Sequence, residues 1–475
     1  MKHYQEKLNL QLDCLIQRFL ELSQNQEYCA FTKDELISLV DYYEYENLTE
    51  NALEVIEYGI KFFKNSPSFK IRKTRIFLYH YHFQLAMEVL DKKQSKTLSP
   101  SQRRMLELEI LIVKKEFDEA IVLVEQLKRD YSRTRKILSN VFYLESSIYE
   151  RLNIFDRSFD CLSEALWINY THKEALGKIW MITELSKNWN ESVLLHEALL
   201  KKEHYSALTW FNLGHAYYGS NEYDKAIEAF NWCITIDEDS ETAYVDLAEV
   251  LEIQGQYLEA ANFLNFALSK FTTVEVDIYF RCGECYVRAE KYDEAIKVLK
   301  KGLEVFDDPD LWFWLGEAYR MQNKFHQVIE FYNNALAISD FRDDIHKSLG
   351  VSYFYLGEYE KAEEHLEKAI EFAPHDPSYR TVLASIQLNI NELERVEEIL
   401  LDAVEEIPCV SLQYQLAAIL ILNGKRKNGI KTLEEALKEE PSLIEEFFNF
   451  APELDKEDDD IDHMIKYYYP EWNRD

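Results

Sequence analysis

Two cysteines, Cys282 and Cys285, form the one CxxC arrangement in the chain. Such a pair can do redox chemistry when a helix N-terminus lowers the pKa of the first thiol, or it can supply half of a zinc site. The apolar spacing around them places both in the middle of a predicted helix, with Cys282 on its buried face. The nearby sequence offers no second CxxC or histidine pair that would complete a zinc site. The pattern therefore predicts small buried cysteines.

The histidines indicate no chemistry either. His80 and His82 are two residues apart, so on a helix they would point in different directions, and we predict surface or boundary positions for them. The fingerprints of zinc proteases, serine hydrolases, phosphate-binding loops and dinucleotide sites do not occur. We expect no catalytic residue, no cofactor and no metal.

The helices that carry these residues repeat at a regular interval. Counted from Ala207, the fourth, seventh, eighth and eleventh positions hold Trp, Leu, Gly and Tyr, and the twentieth and twenty-fourth hold Ala and Phe. The same spacing returns about every 34 residues. Five consecutive units begin at Ala207, Glu241, Val276, Pro309 and Asp343.

These units resemble the tetratricopeptide repeat, whose signature places W, LG, Y, A, F, A and P at this spacing. The first four positions lie on one face of a first helix, and the later ones lie on one face of a second. Small residues at the eighth and twentieth positions let the two backbones approach. Neither helix can bury its apolar stripe alone, so pairs must stack. The resemblance implies an all-α, right-handed α-solenoid of helix-turn-helix units.

The register continues outward in weaker form, giving about twelve units in all. Prolines support it, because seven of them fall at predicted unit boundaries and none falls inside a predicted helix. Residues 135–138 are an insertion before one of the units. The further units begin at Lys33, Pro67, Ser101, Ser139, Lys173, Pro377 and Ser411. We predict an N-terminal capping helix in 1–32, divergent units in 33–138, a well-matched array in 139–442, and a C-terminal capping helix with an acidic and aromatic tail in 443–475.

The two ends leave alternatives open. Residues 4–26 read as an amphipathic helix that either caps the first unit or binds a partner, with Leu8, Leu12, Leu15, Phe19 and Leu22 on one side. The tail has an acidic run followed by Tyr467, Tyr468, Tyr469 and Trp472. Aromatic residues at this density favour docking onto the array, and a short recognition motif is the alternative.

Composition limits the partners and the compartment. A net charge of −33 argues against nucleic acid, which requires a basic face. No apolar run approaches the ~20 residues of a membrane-spanning helix, and the N-terminus lacks the pattern of a signal peptide. Seven cysteines along a long chain indicate free thiols in a reducing compartment. We expect a cytoplasmic protein without a membrane partner.

The candidate binding surface follows from the family's architecture. The resemblance implies that first helices line a concave groove and present unit positions two, five, nine and twelve to it. There a file of aromatic residues runs beside a file of glutamates, which would suit a peptide with apolar and basic residues. Packing against adjacent repeats is the alternative. The candidate groove residues are Phe211, His215, Tyr218, Glu249, Glu252, Phe280, Arg281, Glu284, Phe313, Glu317, Arg320, Lys347 and Phe354.

The predicted function is a non-catalytic scaffold or adaptor that binds a protein or peptide segment in this groove. Repeats occupy nearly all of residues 33–442, so no room is left for a separate catalytic domain. The alternative is a regulatory or sensor subunit of a larger assembly whose enzymatic subunit is another chain. The sequence leaves the partner and the oligomeric state open.

Overall fold

The computed structural model describes residues 2–22, 30–91, 97–271, 275–454 and 458–472, with side chains from residue 12 onward. These residues form helices joined by short turns, and no strand occurs among them. The chain divides into two compact units, residues 1–243 and 244–475. Each unit is a stack of consecutive antiparallel helix pairs. The predicted all-α solenoid is confirmed.

Unit 1 begins with a single helix, and helix pairs follow it. Its helices are α1 (Lys2–Leu22), α2 (Lys33–Tyr45), α3 (Thr49–Phe62), α4 (Ser68–Tyr79), α5 (Phe83–Leu90), α6 (Pro100–Lys114), α7 (Phe117–Asp130), α8 (Arg135–Arg151), α9 (Phe155–Ile168), α10 (Lys173–Ser186), α11 (Trp189–Leu200), α12 (Ala207–Gly219) and α13 (Tyr223–Ile236). The next helix, α14 (Glu241–Ile253), contains the boundary between the two units.

Unit 2 continues the pairs and ends with two shorter helices. They are α15 (Tyr257–Lys270), α16 (Val276–Arg288), α17 (Tyr292–Leu303), α18 (Pro309–Met321), α19 (Phe325–Ile338), α20 (Asp343–Tyr355), α21 (Tyr359–Phe372), α22 (Pro377–Asn389), α23 (Leu393–Glu406), α24 (Val410–Leu422), α25 (Arg426–Glu439), α26 (Ile444–Phe450) and α27 (Asp459–Tyr468). Single 3₁₀ turns, Pro441–Leu443 and Pro452–Leu454, flank α26.

Each pair turns through one residue with a left-handed backbone, and Asn or Gly is the usual choice because it tolerates a positive φ. Between α12 and α13, the Asn221 amide donates to the Tyr218 carbonyl and the Glu222 amide donates to the Tyr217 carbonyl, each at 2.9 Å. These bonds satisfy carbonyls that the end of α12 would leave unpaired. The left-handed residues are Asn47, Tyr81, Lys115, Asn153, Lys187, Asn221, Gly255, Glu290, Asn323, Gly357, Asn391 and Gly424.

Small residues at the eighth unit position let the paired helices touch. A Cβ built on Gly214 would lie 2.7 Å from the Phe230 ring, and one built on Gly316 would lie 2.4 Å from the Tyr332 ring. Side chains essentially never approach so closely. The glycine is therefore required by the large residue that the second helix places opposite it.

The predicted register agrees with the helix bounds. The helices α10, α12, α14, α16, α18, α20 and α22 begin at the predicted first residue of their units. Helices α4, α6 and α24 begin one residue away from the predicted position, and residues 135–138, expected as an insertion, form the first turn of the longer helix α8. The buried Ser139 then lies inside α8, where its hydroxyl donates to the Ala165 carbonyl at 2.9 Å.

Both ends of the chain pack on the repeats of their own unit. The Phe19 ring of α1 is buried, 5.6 Å from the Phe31 ring and 5.5 Å from the Tyr58 ring. The side chain of Leu8 and residues 23–26 lie outside the described part. No described helix is both long enough and apolar enough to span a membrane.

The C-terminal tail docks on α25 and α26. Arg426 holds Asp458 through two hydrogen bonds of 2.7 and 2.9 Å, and the Tyr468 hydroxyl donates to Glu434 at 3.0 Å. The Trp472 ring stacks on Phe448 at 5.8 Å. Most of the aromatic residues of the tail therefore contribute to the last core, although Tyr467 stays exposed.

Candidate functional site

The CxxC pair lies in the middle of α16, as expected. Cys282 and Cys285 are both buried, and the Cys282 thiol approaches the Ala261 carbonyl at 3.5 Å. Burial raises the pKa of both thiols well above its ordinary value, and the Glu252 carboxylate raises it further. Thiols in this state are not nucleophilic at neutral pH. The two cysteines fill space between α15, α16 and their neighbours.

The two histidines of unit 1 differ in detail from the expectation. His80 and His82 lie in the turn between α4 and α5 rather than on one helix, and their rings stack with centroids 6.3 Å apart. The His80 ring also bonds the Thr49 hydroxyl at 2.9 Å. The predicted boundary positions are correct, but the predicted divergence of the side chains is wrong because the chain turns there. The described residues contain no group of three or more His, Cys, Asp or Glu suited to a metal ion.

Three candidate phenylalanines lie half-buried on successive first helices of unit 2: Phe280 on α16, Phe313 on α18 and Phe354 on α20. The Phe313 ring stacks on Tyr332 with centroids 6.0 Å apart, and the Arg342 guanidinium lies 5.6 Å from its centre. The Phe313 ring thus packs on one side within the repeats, and all three side chains keep part of their surface accessible.

Two candidate glutamates, Glu252 and Glu284, are already paired with arginine within the chain. The Arg281 guanidinium donates to Glu252 at 3.1 Å, and the Arg288 guanidinium donates to Glu284 at 2.8 Å. Burial raises the pKa of Glu252, and the charge of Arg281 opposes that shift. A carboxylate held by arginine offers little net charge to a partner.

The most enclosed pairing surrounds Glu317 on α18. Its carboxylate accepts bonds from Arg320 at 2.6 Å, from the Ser348 hydroxyl at 3.0 Å and from the fully buried Tyr332 hydroxyl. Burial alone would lower the pKa of Arg320, but the Glu317 carboxylate raises it. One carboxylate therefore joins α18, α19 and α20.

The remaining unit 2 candidates have simpler surroundings. Glu249 is half-buried on α14. The Lys347 ammonium lies 5.6 Å from the centre of the Tyr379 ring.

Phe211, His215 and Tyr218 belong to unit 1. Phe211 and His215 are buried, with ring centroids 4.6 Å apart, and both pack against Phe230 and Trp180. Tyr218 is half-buried beside Tyr223. Two of these three side chains are therefore part of the core of unit 1.

Comparison with known families agrees with these helix pairs. The profile of the tetratricopeptide repeat matches residues 207–240 and 344–376, and a second profile of the same description matches residues 251–313. The chain is a tetratricopeptide-repeat protein. Repeats of this kind form extended surfaces that other proteins bind.

Relatives of this tetratricopeptide-repeat protein are distant. A TPR repeat-containing protein of Methanocaldococcus jannaschii is 22% identical over 428 residues, which cover 81% of this chain and 71% of that protein. A protein O-mannosyl-transferase of Homo sapiens is 25% identical over 191 residues, which cover 39% of this chain and only 22% of that protein. The structure of the APC/C hetero-tetramer Cut9–Hcn1 is similar at 16% identity over 86% of this chain and 97% of that one, with a TM-score of 0.35. A TM-score this low supports no argument about function.

The structure of this tetratricopeptide-repeat protein also contains a cavity that the sequence analysis missed. It has a volume of about 1520 Å³ and lies within unit 1, lined by α4, α6, α8 and α10. Helices α4 and α6 belong to the divergent units and α8 and α10 to the array 139–442, whereas the candidate groove residues begin only at Phe211 on α12. One signal was available: residues 67–138 contain 16 Lys and Arg against 9 Asp and Glu, a net charge of +7 in a chain of −33.

Proposed function

We propose that this protein is a non-catalytic scaffold or adaptor, and that the face formed by α16, α18 and α20 binds an extended segment of a partner protein. The single observation that carries the proposal is the file of half-buried rings Phe280, Phe313 and Phe354 on successive first helices. Partly accessible aromatic residues beside arginine are typical of the residues that dominate protein interfaces.

The pairing of the acids refines the chemistry of the partner. A lysine or arginine of the partner would compete with Arg281, Arg288 and Arg320 for the same carboxylates. We therefore propose that apolar side chains of the partner supply most of the affinity, by contact with Phe280 and Phe313. Basic residues of the partner adjust specificity at the rim.

The test is a double substitution, Phe280→Ala with Phe313→Ala, in quantitative affinity purification from native cells. We expect specific partners to fall at least about tenfold in recovery, because two aromatic contacts of an interface are lost. The control is Phe341→Ala with Tyr467→Ala, which removes two rings that are 76% and 77% exposed. A partner set that is identical for the double variant, the control and the parent would refute the proposal.

A second candidate is a regulatory or sensor subunit of an assembly whose enzyme is another chain. The observation that favours it is the likeness to a protein O-mannosyl-transferase, in which the matched stretch covers 22% of that protein. Repeats there accompany a longer chain. Native mass spectrometry of the purified complex distinguishes the candidates, because a subunit of this kind would hold an enzyme at fixed stoichiometry.

We also propose a reducing compartment such as the cytoplasm. The six cysteines that the structure describes are all free, four of them buried in the repeats. Unpaired thiols are ordinary where glutathione keeps them reduced and unusual in secreted proteins. Fractionation of native cells tests this placement.

A further inference from the structure

The cavity in unit 1 is built by four successive first helices, α4, α6, α8 and α10. Its volume of about 1520 Å³ exceeds the 300–1,000 Å³ typical of small-molecule sites. Apolar side chains such as Ile71, Met105 and Ile137 line it together with polar ones such as Gln102 and Asn140. A cavity of this size and composition suits a polypeptide segment.

One wall is organised around Tyr143 on α8. The His172 ring lies 5.3 Å from the Tyr143 ring, and the Lys178 ammonium lies 5.6 Å from it. Lys178 also donates to the Ser147 hydroxyl at 3.0 Å and pairs with Glu150. These contacts fix the wall without occupying the cavity.

His172 presents an unused polar atom. The side chain is 5% exposed, and its Nδ1 accepts the Ala175 amide at 3.3 Å as the N-cap of α10, with Glu174 3.2 Å from the same nitrogen. A neutral ring that accepts at Nδ1 carries its proton on Nε2. That Nε2 is buried and has no hydrogen-bond partner among the described residues. A buried donor without a partner is costly, so a carbonyl or carboxylate supplied from outside would be bound favourably.

The rim adds charge and aromatic surface. Lys136 and Arg151 are exposed, line the cavity and form no ion pair in the described part of the chain. Tyr79 and Tyr81 also line it and are 74% and 70% exposed. By contrast, Arg75 is already held by Glu109 at 2.8 Å. The side chains left to meet a ligand are therefore two cations, Lys136 and Arg151, and the neutral ring of His172.

We infer that this cavity binds an extended acidic segment of a partner protein. The carboxylates of the segment would meet Lys136 and Arg151, a carbonyl or carboxylate oxygen would accept from His172 Nε2, and apolar side chains would contact Tyr79 and Tyr81. The net charge of +7 over residues 67–138 attracts such a segment, which the rest of the chain repels.

A peptide fits the lining better than a nucleic acid does. Glu109, Glu150 and Glu174 line the same cavity and would repel a continuous phosphate backbone. A peptide can place its carboxylates beside the two rim cations and its apolar residues beside the acids. Nucleic acid is therefore an outcome of the test and not the proposal.

The test measures fluorescence anisotropy with the full chain and a short fluorescein-labelled peptide of Asp, Glu and Leu. Lys136→Glu with Arg151→Glu should weaken binding about tenfold or more, because each cation becomes a like charge. The control, Lys201→Glu with Lys297→Glu, changes the net charge equally at exposed positions outside the cavity and should stay within about twofold. Equal affinity for the two double variants would overturn the inference.

Two further probes sharpen the result. A peptide with Lys in place of each acid should not bind, and a labelled single-stranded RNA of matched charge should bind no better to the parent than to the Lys136→Glu, Arg151→Glu variant. Preference for the basic peptide, or RNA binding that depends on those two cations, would contradict the acidic-peptide assignment.

His172→Asn tests the buried donor, because Asn keeps a capping oxygen for α10 but not the reach of Nε2. We expect several-fold weaker peptide binding with unchanged helix content, and parental affinity would remove His172 from the site. The inference stands apart from the proposed function, since it concerns unit 1. The Phe280→Ala, Phe313→Ala variant should therefore bind the acidic peptide with parental affinity.

Discussion

The first-helix faces of the two units use the same scaffold in opposite ways. In unit 2 the polar groups of one cluster on α18, α19 and α20 satisfy one another, because Glu317 accepts from Arg320, Tyr332 and Ser348. On α8 and α10, the Nε2 of His172 is buried without a described partner, and the rim cations Lys136 and Arg151 form no described ion pair. The Glu317 cluster is satisfied internally, and the cavity wall of unit 1 retains unused donors.

This difference distinguishes polar groups that stabilise the fold from polar groups that are available to bind a ligand. A buried carboxylate with three donors contributes to the fold, because each donor would be left unpaired without it. An exposed cation with no partner contributes little to the fold and is free to meet a ligand. Substitutions in the Glu317 cluster of unit 2 should therefore change stability, and substitutions of Lys136 and Arg151 in unit 1 should change peptide binding.

The largest effect should follow Glu317→Ala. The substitution leaves the buried Tyr332 hydroxyl, the Ser348 hydroxyl and the Arg320 guanidinium without their acceptor. We expect the free energy of unfolding to fall by about 3 kcal/mol. Urea denaturation followed by circular dichroism, with hydrogen exchange to locate the loss in unit 2, checks this. Glu317→Gln keeps an acceptor and should cost less.

The matched substitution in unit 1 is Glu109→Ala. Its partner Arg75 has a side chain that is 60% exposed, so it stays hydrated when the carboxylate is removed. We expect a loss below about 1 kcal/mol. An equal or larger loss than for Glu317→Ala would mean that the two faces do not differ in the way described.

A second prediction concerns acid sensitivity. Burial lowers the pKa of His196 in unit 1 to about 4, and its Nε2 has no described partner to stabilise a proton. The unfolded chain takes up that proton near pH 6.5, so the unfolded state binds more protons than the folded state between pH 6.5 and 4. The contribution of neutral His196 to the unfolding free energy is therefore complete above pH 6.5. The unfolding free energy should fall by about 3 kcal/mol as the pH drops from 6.5 to 4.

His196→Leu isolates that contribution. At pH 7 the difference in unfolding free energy between variant and parent measures the effect of the substitution on packing. The further change in this difference between pH 7 and pH 4 measures the cost of protonating His196. The variant should lose less stability than the parent on acidification. A parallel pH dependence of the two proteins would show that His196 is not the responsible group.

Unit 2 has its own acid-sensitive pair. The Nδ1 atoms of His346 and His365 lie 2.9 Å apart, and burial lowers the pKa of both, that of His365 to about 4 with the neighbouring His346 adding to the shift. Two imidazolium rings at this distance repel, so the protection factors of the α20 and α21 amides, which correct for the slower intrinsic exchange at low pH, should fall as the pH drops below 6.5.

The sequence was sufficient for the helices but not for the pairing of side chains. The spacing of Trp210, Gly214 and Phe230 predicts a helix pair, because only neighbouring positions along one helix and its partner decide the packing. The pairing of Arg281 with Glu252 joins residues 29 apart on different helices, and rotamers decide whether they meet. Phe211 is buried, which fits packing within the repeats, the alternative that the sequence leaves open for the groove residues.

The cavity in unit 1 was missed for a related reason. Helices α4 and α6 carry few of the signature residues, and the files of aromatic residues and glutamates that mark the candidate groove begin only at α12. Their charge was visible in the sequence, but charge alone does not distinguish cations paired within the fold, such as Arg75, from unpaired ones, such as Lys136. That distinction requires coordinates.

The smallest predicted effects compare two glycines and have opposite signs. Gly177, exposed in α10 of unit 1, has open space where a Cβ would be placed, so Gly177→Ala should stabilise by about 0.5–1 kcal/mol through helix propensity alone. Gly316 in α18 faces the Tyr332 ring at 2.4 Å, and that ring cannot move freely because its hydroxyl is bound to Glu317. Gly316→Ala should therefore cost about 1–2 kcal/mol net of the same propensity gain. Thermal unfolding of both variants checks the two predictions. A stabilising Gly316→Ala would mean that the Tyr332 ring can move aside and is not held in place by its bond to Glu317.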